Sequence, residues 1–85
     1  MSFYNKRDEW VVGERLLGFD GSRTEFTLQR TPVPGSVAIV VGGLRQIEGP
    51  SRGVGDYTIS GKTITFFDAH PKNTVAQADY AVLSR

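Results

Sequence analysis

Residues 56–66 read DYTISGKTITF, and how this stretch pairs decides the fold. Tyr57 and Ile59 alternate with polar residues before Ser60-Gly61, and Ile64 and Phe66 alternate with threonines after it. Successive side chains of a strand point to opposite faces, so both arms present their bulky residues to one side while the Ser-Gly pair reverses the chain. The stretch predicts a β-hairpin that carries nothing reactive.

The same period of two recurs on either side, in short runs punctuated by Gly, Pro, Asn and Asp, as in an all-β domain. Upstream, FDGSRTEFTLQ (19–29) offers Asp20-Gly21 for a first hairpin turn and then Phe26 and Leu28 on one side of a half-buried strand, with Glu25, Thr27 and Gln29 on the other. RTPVPGS (30–36) interrupts pairing, because each proline lacks an N–H and forces its predecessor into extended geometry. Val37–Val41 is a continuous apolar run, the pattern of a core strand covered on both faces, and Gly42-Gly43 lets it reverse or bulge before Leu44. GPSRGVG (49–55) and DAHPKNT (68–74) read as loops, the first with Arg52 at its tip. VAQADYAVL (75–83) sets Ala76, Ala78, Tyr80 and Val82 on one face and Gln77 and Asp79 on the other. Residues 10–19 hold apolar residues at helical spacing, but Val11, Val12 and Gly13 favour a strand.

Together these runs predict an all-β fold, a small antiparallel β-sandwich or partly open barrel of about seven short strands, with residues 1–9 as an N-terminal arm and 10–85 as one domain. A chain of 85 residues hides only about 60–65% of its unfolded surface. Without cysteine it has no disulfide or thiolate metal site to reinforce that modest core, so association with other chains becomes an expected source of stability.

Charge narrows the partners. Ten Lys and Arg against nine Asp and Glu leave a net charge of +1, which gives no general attraction to nucleic acid or anionic membrane. No apolar run approaches the ~20 residues of a membrane span, and MSFYNKRDEW lacks the apolar centre of a signal peptide, so the chain reads as soluble and unprocessed. His70 is the single histidine; in DAHPKN it reads as an exposed loop residue without a convergent third group for a triad or a metal site. The carboxylates follow neither a metal-loop nor an acid–base spacing, with Asp20 and Asp56 serving as turn and strand-entry residues. GPSRGVG lacks the Lys-Ser/Thr and the following helix of a phosphate-binding loop. The reading is of a non-enzyme: no catalytic residue, no cofactor-binding residue, no metal ligand.

What remains is contact chemistry. Seven arginines outnumber three lysines, and arginine is favoured where planar, multi-donor contacts are made between proteins. Arg15, Arg23, Arg30, Arg45 and Arg52 are open to either reading, solvated surface or interface. Phe3, Tyr4 and Trp10 interleave with charged residues, as in an arm that seats aromatic anchors in a neighbour, packs on its own domain or frays. The candidate partner-contact residues are therefore Phe3, Tyr4, Trp10, Arg45 and Arg52.

FDGSRTEFTLQRTPVPGSVAIVVGGLRQ (19–46), GDYTISGKTITF (55–66) and ADYAVL (78–83) together resemble a small β-sandwich module of tailed-bacteriophage virion proteins, found in head-decoration, neck and tail-fibre components. The likeness spans residues 19–83 and rests on the FTL strand, the TPVPGS turn, the GGLRQ segment and the DYTISG hairpin; EGPSRGV (48–54) departs from it as an insertion. The resemblance implies an accessory structural protein of a phage particle, a capsid decoration or cement protein or a head–tail or tail attachment component. It implies other virion proteins as partners, several symmetric copies on the particle, location in the virion with assembly in the host cytoplasm, and no active site. The rival expectation is a ligand-binding module of a tail appendage, recognising a host glycan or receptor through exposed aromatics and the GPSRGVG and DAHPKN loops.

Overall fold

A computed structural model describes residues 8–83. Seven strands follow in order: β1 (Asp8–Arg15), β2 (Glu25–Thr27), β3 (Ala38–Val41), β4 (Leu44–Arg45), β5 (Tyr57–Ser60), β6 (Thr63–Phe66) and β7 (Ala76–Leu83). They form two antiparallel sheets, β1-β7-β3-β4 and β2-β6-β5, so the molecule is a small β-sandwich. The described residues contain no helix, and so none long and apolar enough to cross a membrane.

The hairpin of residues 56–66 forms as the alternation predicts. Tyr57 pairs with Phe66 and Ile59 with Ile64, so all four side chains meet the same core face, where Tyr57, Ile64 and Phe66 are buried and Ile59 packs against them. The reversal is one residue later than the Ser-Gly pair suggested. Ser60 pairs with Thr63, leaving Gly61-Lys62 as the loop, with positive φ at Gly61 (60°) and not at Lys62. That combination matches a type II′ turn, whose twist suits flanking strands. Gly42 and Gly43 both adopt positive φ, as in a type I′ turn, and close the β3–β4 hairpin between Val41 and Leu44.

β7 organises the larger sheet. Ala76, Ala78, Tyr80 and Val82 are buried, and the small alanines leave volume for the aromatics of the smaller sheet. There Phe26 and Phe66 meet edge to face at 5.7 Å, and Phe19 packs on Phe26 at 4.3 Å, geometries that add to plain area burial.

Four sequence expectations change. Asp20-Gly21 turns the chain but closes no hairpin: β1 pairs with β7 and β2 with β6, so this turn carries the chain between sheets. Its geometry is nonetheless what Asp supplies, Oδ1 accepting the N–H groups of Ser22 (2.9 Å) and Arg23 (2.7 Å), which hold the Asp20 carboxyl below the usual carboxylate range. The first strand covers 8–15 in place of 10–19; Leu16 and Phe19 stay buried beyond its end because the chain leaves the sheet and dives into the sandwich. β3 is covered on one face, not two: Ile39 and Val41 are buried while Ala38 and Val40 are half-buried, since a two-layer fold leaves every strand an outer side. His70 is half-buried, its ring edge-on to Phe66 at 5.0 Å and to Phe19 at 5.8 Å; it closes the aromatic cluster in place of standing in solvent.

Candidate partner-binding surface

The outer face of the larger sheet is set by register. Paired residues of antiparallel strands share a face, so Trp10 stands beside Ala81, and Arg15, Gln77, Val40 and Arg45 form one row across all four strands. Trp10, 64% exposed, and Arg45 thus share the outer face at opposite edges of the sheet, together with Arg15.

The bulge in β1 shapes this face. Register shifts between Val11 and Glu14, Gly13 takes φ of 72°, and its N–H donates to Asp79 Oδ1 at 2.7 Å. A bulge lets two residues oppose one and re-aims the side chains around it. Val12 emerges here 75% exposed, close in sequence to Trp10. Leu83, also outward and exposed, lines a groove of about 420 Å³ with Thr31, Pro32, Val33 and Pro34. On the other flank of that proline loop lies a cleft of about 310 Å³, reaching Ile59 and Gly61 with Glu48 as its charged residue.

The arginines divide by what they touch. Arg23 lies over the Phe26 ring at 4.6 Å and donates to the Glu25 carbonyl; Arg30 pairs with Glu9 at 3.0 Å. Arg52 donates to the Phe67 carbonyl at 2.5 Å and pairs with Asp68 at 3.0 Å. Although exposed, it is committed to joining the 49–55 loop to the end of β6, and it is not part of the outer face of the larger sheet. The side chains of Arg15 and Arg45 make no hydrogen bond or ion pair with another described residue. Of the five expected contact residues, then, Trp10 and Arg45 share one face at its opposite edges, Arg52 stands apart, and Phe3 and Tyr4 lie outside the described residues. β1 begins at Asp8, so Asp8 and Glu9 of the stretch expected as an arm are paired, with Leu83 and Val82.

Sequence reasoning passed over Val12 and Leu83 as surface residues. Val12 was signalled by Gly13, since a glycine inside a strand pattern marks a bulge. Leu83 ends an alternating run in phase with Gln77 and Asp79, so the phase alone placed it outside.

No convergent chemistry gathers elsewhere. Among the described residues no group of three His, Cys, Asp or Glu is placed to hold a metal ion. Tyr80 is buried, donates its hydroxyl to Glu14 Oε1, and its pKa is pushed up to about 12, first by burial and then by that hydrogen bond; Glu14 Oε2 also accepts the Gln29 N–H at 2.9 Å. The Tyr80–Glu14 bond lies within the larger sheet, and the Glu14–Gln29 bond ties that sheet to the segment following β2. The 49–55 and 68–70 loops do converge, through Arg52, around a depression of about 220 Å³ lined by Ile47, Asp56 and Asp68 among others, with no aromatic residue. Set against known protein families, curated proteins and solved structures, the chain matches none.

Proposed function

We propose that the chain is a non-catalytic structural module that works by adhesion to other protein subunits, as an accessory component of a tailed-phage particle: a capsid decoration or cement protein or a head–tail or tail attachment part. The observation that carries the adhesive reading is that an exposed Trp10 and two arginines, Arg15 and Arg45, whose side chains have no partner among the described residues, lie on one outer sheet face. Trp and Arg are the side chains that dominate binding energy at protein interfaces, and a sheet face backed by a packed core presents them at little entropic cost. The particle setting rests on the sequence resemblance over residues 19–83.

Co-sedimentation with purified particles, comparing the parent with a Trp10→Ala/Arg45→Ala variant, tests this. The variant is expected to lose occupancy by at least tenfold, since two such truncations cost about 2 kcal/mol or more; equal occupancy removes this face from the interface. The rival reading, a glycan-binding appendage module, has the convergence of the 49–55 and 68–70 loops in its favour. Against it, their depression of about 220 Å³ is smaller than ordinary small-molecule pockets and offers no ring for a sugar to stack on. Binding on a glycan array that is lost with Arg52→Ala, alongside no particle association, would favour it.

A further inference from the structure

The two sheets have four edge strands, and three are blunted. β4 is two residues long and β2 three. β5 is covered by the Ile47–Gly49 segment, which bridges it in parallel through Glu48 and Tyr57 and bonds Gly49 N–H to the Tyr57 carbonyl at 2.9 Å. β1 differs: it is eight residues long and pairs with β7 alone among the described strands. Sheet edges left long and open are templates for another strand, and folded proteins normally shorten or cover them.

We propose that β1 pairs antiparallel with β1 of a second copy of this chain, about a two-fold axis at Val11, joining the two larger sheets into one continuous sheet. The two ends of DEWVVGER complement each other in this register. Asp8 falls opposite Arg15 of the second copy at both ends of the pairing, and Trp10 falls opposite the Val12-Gly13 bulge. Each bulge is matched by one residue of the other strand, so the extra residue in each copy cancels and inner and outer faces stay in phase on both sides of the axis. Arg15 has no ion-pair partner among the described residues, so the register sets it, uncommitted, opposite Asp8 of the neighbour. On the inner side Glu9 falls opposite Glu14 of the second copy at both ends, a like-charge pairing offset within each copy because Arg30 holds Glu9 and Tyr80 and Gln29 hold Glu14. A two-fold interface demands this kind of self-complementarity.

The association runs along the edge strand, Arg15 being common to it and the outer face, and is tested on the purified chain alone, so its failure leaves the adhesive reading of Trp10 and Arg45 untouched. Sedimentation equilibrium of the parent should show a monomer–dimer equilibrium. Arg15→Asp sets Asp against Asp twice and Asp8→Arg sets Arg against Arg twice; each should weaken the dimer by at least about tenfold, as paired like charges oppose cross-strand pairing. Mixing the two variants restores opposite charges at both positions, and heterodimers should form with affinity near the parent's. A parent that stays monomeric up to its solubility limit, variants that dimerise as the parent does, or a mixture that fails to recover would each overturn the proposal.

Discussion

Gly61 shows how a single residue sets a hairpin. Its φ of 60° lies where an L side chain is strained, although a Cβ there would meet nothing within 4 Å, so the constraint is backbone conformation and not space. Gly61→Val should cost on the order of 2 kcal/mol and lower the melting temperature by about 10 °C; a melt matching the parent's would show the turn is misassigned. Tyr80 makes a second case, through its proton. Its folded pKa of about 12 stands above the ordinary 10.0, so its contribution is complete below pH 10 and is lost as pH rises toward 12, where the unfolded chain ionises first. Tyr57 is shifted the same way by burial. Tyr80→Phe should therefore flatten the alkaline limb of a denaturation series without abolishing it, while costing about 1 kcal/mol at neutral pH through the lost bond to Glu14.

Between residues and fold lies the crossing at Gly49 and Gly55, where the long β4–β5 connection folds back on itself. A Cβ on Gly49 would lie 2.8 Å from the Gly55 backbone, and one on Gly55 would collide with the Gly49 backbone. Backbone cannot swing away as a flexible side chain can. Gly55→Ala should push the segment off β5, uncover that edge and destabilise the domain by about 1–3 kcal/mol; chemical denaturation reads the loss. The added edge exposure should also appear as faster hydrogen exchange at the Gly49 amide, which the Tyr57 carbonyl now accepts. The same crossing explains why EGPSRGV reads from sequence as an unconstrained loop: glycines that permit a close approach look identical to glycines that permit a turn.

For the whole molecule, one two-layer core stabilises everything, and the contact face lies outside it. A domain of 85 residues is stable by roughly 4–13 kcal/mol, and Phe66, 2% exposed and touching the Phe19, Phe26, Tyr57 and His70 rings, is central to that. Phe66→Ala should remove about 3–5 kcal/mol, enough to leave a measurable unfolded fraction at physiological temperature by circular dichroism. Trp10→Ala/Arg45→Ala should by contrast melt within a degree or two of the parent, because neither side chain belongs to the core cluster. A large drop with that pair would mean that the outer face is holding the fold.

Alternation within short segments was enough to determine the all-β class, the 56–66 hairpin, and the inward residues of β2, β6 and β7, because a period of two and a turn glycine are local properties of the chain; whether Gly42-Gly43 reversed or bulged was left to the structure, which closes a hairpin there. Which strands become neighbours was decided only by tertiary structure. β1 meets β7 across most of the sequence, and β2 meets β6 across more than a third of it, and no local signal distinguishes a turn that closes a hairpin from one that crosses between sheets. The candidate surface follows the same division: Trp10 and Arg45 were recognisable as contact-forming residue types, but their shared face arises from register across β1, β7, β3 and β4. Arg52 left the set for the complementary reason, since Asp68 and the Phe67 carbonyl reach it only once the sandwich has closed.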